Sequence, residues 1–227
     1  MVRAYLAGLK TQTRRTRGLD LVNKNPDEWL LSSIKDGDTL RVHVFFKNRK
    51  EGHLCHLCRP PYGWAGDTLW FKETYAEICN WADPICPCES DEEEKENHYI
   101  EYRADTGNKY PGDWPEEEAR GNPEAPKWKS SMFMKKIHSR FVDIPIANVR
   151  VERLQDISDS DALAEGINAI AEGVIFSSFR MGTGELSYAQ FQYKNLWDKL
   201  NGKKLPWSMN PWVWVYEFSK YQETVIS

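Results

Sequence analysis

Three side chains with chemical potential lie within one short run, Gly8-Leu9-Lys10-Thr11-Gln12-Thr13-Arg14-Arg15. They are Lys10, Thr13 and Arg15. An amine, a hydroxyl and a guanidinium held together can bind an anion, grip a nucleotide or activate a nucleophile. In an extended segment they fall on alternate or near-alternate positions. The same residues also describe a solvated basic edge strand.

A second set is the cysteines. Cys55-x-x-Cys58 and Cys86-x-Cys88 supply four thiolates, with Cys79, His53 and His56 close in sequence. Cysteine pairs from two loops are a common way to build a structural zinc site, and four thiolates would leave no open position for chemistry. The single residue in the second gap, Pro87, makes that pair tighter than the usual zinc loop, so unliganded thiols stand beside zinc as a reading. Trp70 and Trp128, the latter between Lys127 and Lys129, are candidates to stack on a base. Glu73 is a further candidate carboxylate.

These groups need elements to position them. Met1 to Leu9 reads as a short helix stopped by Gly8 in the left-handed conformation, and Lys10 to Arg15 as extended. Residues 16 to 36 are mixed. Two turns, Asp36-Gly37-Asp38 and Gly66-Asp67, each precede an alternating run, at 39–46 and 68–75, and predict two strands. Turn and run share Gly-Asp-Thr-Leu in both places, a repeated turn-to-strand solution. The stretch 77–126 is acidic, rich in proline and glycine, and reads as a long surface insertion with one strand at 99–103.

Residues 141–146 and 147–154 predict two extended segments, the first an edge or bulged strand because of Pro145. Ser158 with Asp161 opens a helix that runs to Ile167, with Gly166 near its end. A longer helix spans about 186–200, with Tyr188, Phe191, Leu196 and Leu200 as its apolar face. Trp212-Val213-Trp214-Val215-Tyr216-Glu217-Phe218 is a strong closing strand. Several strands with about three helices predict an α+β fold, a small β-barrel carrying helices, as a single domain over 1–227.

Composition bounds the rest. The chain has 227 residues, a formal charge of -4 and 28% charged residues, which is ordinary for a globular protein. No apolar run is long enough to span a bilayer and no signal peptide opens the chain, so a cytoplasmic location and no membrane partner are expected. The charge is segregated. Acids crowd Glu77 to Glu124, while bases gather at Arg3 to Arg17 and again from Lys127 to Arg153, so a basic face for nucleic acid is compatible with the acidic total.

Four blocks in this order resemble the ASCH domain of the PUA-like superfamily, small β-barrels associated with RNA and modified nucleosides. They are Gly8-x-Lys10-x-x-Thr13-x-Arg15, Gly66-Asp67-x-Leu69-Trp70, Leu154-Gln155-Asp156-Ile157-Ser158 to Ala164-Glu165-Gly166-Ile167, and Pro211-Trp212-Val213-Trp214-Val215-x-Glu217-Phe218. The last three are most similar to ASCH-like proteins of phages and prophages. In that pattern a short strand precedes the counterpart of Met1 to Leu9, and this chain begins without it.

The resemblance implies a function. One branch of the family hydrolyses the acetyl amide of N4-acetylcytidine with a lysine, a threonine three residues on and a distant glutamate, which map onto Lys10, Thr13 and Glu165. Arg15, Trp70, Glu73, Trp128 and Lys129 become the expected nucleotide contacts. The implied partner is RNA or a modified nucleoside. No cofactor is required for that chemistry, and a zinc on Cys55, Cys58, Cys86 and Cys88 would be structural. Two other functions stay open: a non-catalytic module that binds RNA or a modified base, and a ribonuclease. Lys10 and Arg15 as phosphate clamps, and Glu165 as a plain salt-bridge partner or an exposed helix residue, stay open with them.

Overall fold

The computed structural model describes residues 2–35, 42–52, 55–79, 98–106, 110–113, 115–120, 122, 125–167, 180–181 and 186–221. Its strands are β1 (Gln12–Arg15), β2 (Trp29–Lys35), β3 (Val42–Asn48), β4 (Cys55–Cys58), β5 (Thr68–Leu69), β6 (Tyr75–Cys79), β7 (His98–Tyr102), β8 (Ile144–Arg153), β9 (Arg180–Met181), β10 (Leu186–Ser187) and β11 (Trp212–Phe218). Its α-helices are α1 (Val2–Leu6), α2 (Arg103–Thr106), α3 (Glu116–Ala119), α4 (Asp159–Ala164) and α5 (Tyr188–Asn201). The fold is mixed α/β, with few helices and a curled antiparallel half-barrel sheet. The chain divides into two compact units, one built on Arg3–Leu69 and Asp143–Ser227, the other on Trp70–Val142.

The first unit is organised on β11. Its sheet runs β1-β11-β8-β5, all antiparallel, and a separate sheet runs β2-β3-β4. Alternation sends Trp212, Trp214 and Tyr216 to one face, where they pack with Leu19, Val22, Trp29, Val44, Phe46, Cys58, Ile146 and Val151. Val213 and Val215 go to the other face, among Leu154, Ile157, Ala162, Tyr193, Trp197 and Trp207. A strand covered on both faces needs a continuous apolar run, which is why this one has no polar alternation until Glu217.

The predicted segments 141–146 and 147–154 merge into one strand, β8, which begins only at Ile144, after Asp143 at φ 55°, and ends at Arg153. Its pairing to β11 ends at Ile146 after a register shift, and Pro145 lies opposite Thr68 of β5. The proline thus falls where no β11 ladder needs its missing N–H. The predicted strand at 68–75 is interrupted. β5 stops at Leu69 and β6 starts at Tyr75, because Phe71 N–H donates to Phe141 O and Glu73 N–H to Met134 Sδ instead of to a ladder. Strands β2 and β4 were not foreseen, and Leu30 and Leu31 of β2 are both exposed, so no alternation marks that strand.

Helix α5 starts at a capping box, with Ser187 and Gln190 each satisfying the other's backbone N–H. Its buried face is Ala189, Tyr193 and Trp197, not the predicted Leu196 and Leu200, the latter 70% exposed. Tyr193 and Trp197 bury more surface than leucine and Trp197 Nε1 finds a partner in Leu205 O, so the aromatic face wins. Trp197→Ala is expected to cost about 3–5 kcal/mol, and Leu200→Ser to stay within about 0.5 kcal/mol. Urea unfolding of the two variants checks this.

In the second unit β6 and β7 pair antiparallel from Tyr75–Tyr102 to Cys79–His98. The described part of the predicted insertion thus holds the end of β6, then β7, which takes in the predicted strand at 99–103 except Arg103, the first residue of α2, and then α3. Arg140 forms the internal staple of this unit. It grips Glu73 through two hydrogen bonds of 3.0 and 2.9 Å and Asp105 through two of 2.8 and 3.0 Å, with its guanidinium 4.3 Å from the Tyr102 ring centre. No helix among the described residues is long and apolar enough to cross a membrane.

Candidate functional site

The first unit brings Lys10 against Glu165. Helix α1 ends at Leu6, Gly8 makes the left-handed turn expected of it with a φ of 67°, and the chain then runs back past the end of α4. Lys10 forms a β-bridge with Glu165, and Thr11 N–H donates to Ala164 O at 2.8 Å. Gly166 permits this approach. Its φ is 86°, and a Cβ there would lie 2.7 Å from Ala4 Cβ and 3.2 Å from Lys10 Cβ, so no other residue fits without moving the chain. Ser158 caps α4 by accepting from Asp161 N–H, as its sequence predicts.

The Lys10 amine donates to Glu165 twice, to the main-chain carbonyl at 2.8 Å and to Oε2 at 2.8 Å. Both residues are buried, Lys10 at 3% exposure and Glu165 at 8%. Burial holds the amine below the ordinary lysine value of 10.5. The Glu165 carboxylate works against that shift, and the charges of Arg15 and Arg14 work with it.

Around this pair lies a network that inspection of the sequence missed. Gln12 and Arg14 share one face of β1, and Lys10 belongs to the same alternate series. Arg14 reaches Glu152 of β8, Asp161 of α4 and Glu165, and its guanidinium stands 5.7 Å from the ring centre of the buried Tyr193. Gln12 donates to Asp161 at 2.9 Å. Arg150 pairs with Glu152, Asp161 and Glu217.

Three cations thus meet four carboxylates beside a sheet, with Lys10, Arg14 and Glu165 buried and the other four partly exposed. For Asp161, burial pushes the carboxyl up, but the Gln12 hydrogen bond and the Arg14 and Arg150 charges outweigh it and leave it below the ordinary aspartate value. Burial, then the Glu165 charge, pushes the Tyr193 hydroxyl well above the ordinary tyrosine value. The signal in the sequence was the Lys10, Gln12, Arg14 alternation, together with a glutamate in an otherwise apolar closing strand.

Thr13 lies opposite Tyr216 in β1–β11 and shares its face, away from Gln12 and Arg14. It is 7% exposed, and no hydrogen bond joins its hydroxyl to Lys10 or Glu165. Arg15 lies opposite Trp214. The remaining nucleotide candidates belong to the second unit. Trp70 carries the Lys72 ammonium 5.2 Å from its ring centre, and Glu73 is 2% exposed with both oxygens on Arg140. Trp128 is half-buried, and Lys129 pairs with Glu77 at 2.7 Å and exchanges main-chain hydrogen bonds with Tyr75.

Of the zinc candidates, Cys58 is buried in the apolar cluster between the sheets, and burial pushes its thiol up to about 11. There it acts as a small hydrophobe. A thiol raised from 9.0 contributes stability that is present below that value and lost as pH climbs to about 11. Iodoacetamide at pH 8 is therefore expected to spare Cys58 in the folded protein and label it in urea, read by mass spectrometry. Cys86 and Cys88 lie outside the described residues. Among the described residues no three His, Cys, Asp or Glu side chains are grouped to hold a metal. Comparison of the chain with protein-family models, with curated proteins and with solved structures gives no match.

Proposed function

We propose that the chain is an ASCH-type, PUA-like protein whose Lys10–Glu165 site hydrolyses an acyl amide on a modified cytidine. The observation that carries this reading is the buried Lys10–Glu165 contact, formed by residues 155 positions apart and accompanied by a depressed lysine amine. A neutral amine has two N–H groups. Donating both to Glu165, one to its carbonyl and one to its carboxylate, aims the lone pair away from the pair and toward whatever enters beside it.

In that state Lys10 accepts the proton of a water that attacks the carbonyl; Thr13, the nucleophile of the first motif, lies on the other face of β1. The C–N bond then breaks. Lys10 returns that proton to the leaving amine while Glu165 holds the Lys10 amine in place, and the acyl group leaves as its acid. Arg15 supplies positive charge for the developing oxyanion. Thr13→Val tests the nucleophile separately, since a direct attack by water would survive it.

A second reading has an observation of its own: Lys10 and Glu165 satisfy one another, as a structural ion pair beside a binding surface would. Incubation with N4-acetylcytidine, followed by mass spectrometry, separates the two. Cytidine and acetate formed by the wild type and not by Lys10→Ala support the hydrolase. Binding of the nucleoside without turnover supports the module. RNA ends cleaved in a Lys10-dependent way support a ribonuclease.

A further inference from the structure

The guanidinium of Arg14 is completely buried, with 0% side-chain exposure, yet it is the hub of the charged network. All three of its nitrogens are engaged. Nε and Nη2 donate to Glu152 Oε1 at 3.0 and 2.6 Å, Nη2 lies 3.3 Å from Asp161 Oδ2, and Nη1 donates to Gln12 Oε1 at 2.6 Å and to Glu165 Oε1 at 3.3 Å. The two oxygens of Glu165 are therefore divided, Oε1 to Arg14 and Oε2 to Lys10.

We infer that Arg14 is a positioning residue of this site, which clamps one oxygen of Glu165 and so holds the other against the Lys10 amine without itself meeting a ligand. The inference rests on the reading of Lys10 as a base. A carboxylate free to rotate about its last bond would present either oxygen to Lys10, and the amine's direction would go with it. The planar fork of Arg14 prevents this by fixing Glu152 and Glu165 from one rigid group, which a lysine cannot do.

The division also governs charge. The charged and titratable groups of the network are Arg14 and Arg15 of β1, Arg150 and Glu152 of β8, Asp161 of α4, Tyr193 of α5 and Glu217 of β11. Arg14 draws negative charge from Glu165 that would otherwise fall on Lys10, and its own positive charge opposes protonation of the amine. Loss of the fork releases the whole carboxylate to Lys10, which then keeps its proton to higher pH. Neutralising Glu152 does the reverse, because Arg14 then leans on Glu165.

The test uses full-length protein carrying 13C-labelled lysine, with the Lys10 resonance identified by its loss in Lys10→Met. Arg14→Lys is expected to move the Lys10 titration midpoint upward, and Glu152→Gln to move it downward, in protein without substrate. With N4-acetylcytidine, Arg14→Lys is expected to lower kcat near neutral pH about tenfold for each unit of that movement and to recover at alkaline pH, as a positioning role requires.

An unchanged Lys10 midpoint in folded Arg14→Lys would overturn the inference. Should that variant not fold, the direction seen in Glu152→Gln decides, and no shift or an upward shift overturns it. Absence of turnover in the wild type would count against the hydrolase reading alone, since the Lys10 midpoints are read without it.

Discussion

Lys10→Met is expected to lower hydrolysis of an acetylated cytidine by about two to four orders of magnitude, the usual contribution of a positioned base. The protein is expected to stay folded. Glu165 keeps its hydrogen bond from Arg14, so removing the amine does not strand a bare buried carboxylate. Methionine also fills much of the space of the lysine stem.

The pH dependence gives a second reading of the same variant. In the wild type the folded amine binds fewer protons than the unfolded one between its depressed value and 10.5, so unfolding takes up protons and stability rises with pH across that window. Lys10→Met lacks that rise. Urea midpoints measured from pH 7 upward, beside the turnover assay, check both parts. A variant with full turnover would remove Lys10 from the mechanism.

Arg14→Met is expected to lose about 3–5 kcal/mol of stability, because it leaves carboxylates in a partly buried place without their shared cation. Glu152, Asp161 and Glu165 all lose a partner at once. In a chain of this size that loss corresponds to a fall in Tm of roughly 10 °C. Arg14→Met combined with Glu152→Gln is expected to recover part of it, since one of the stranded charges is gone. Thermal unfolding of the single and double variants measures the recovery. A single variant as stable as the wild type would show that the network contributes no net stability.

Much of the first unit was legible because its signals are local. Gly8 at a helix end, Ser158 as a cap and the apolar β11 run each depend on a few adjacent residues. The Lys10–Glu165 contact was reachable only through resemblance, since nothing in either segment alone points to the other 155 positions away. Arg14 and Glu152 went unnoticed for a physical reason: arginine and glutamate read as surface residues until a sheet register brings them together under a helix. The same blindness misplaced the buried face of α5, where leucines were preferred to Tyr193 and Trp197. Glu73 stood as a candidate carboxylate for a nucleotide, but its partner, Arg140, lies 67 positions on.

The most direct test of the account is the titration of the Lys10 amine in the wild-type protein, followed by 13C NMR of labelled lysine. The account predicts a midpoint below the ordinary 10.5, with burial outweighing the adjacent Glu165. A midpoint at or above 10.5 would contradict it. The pair would then be a charged ion pair throughout the physiological range, and Lys10 would be a cation that binds and not a base that accepts.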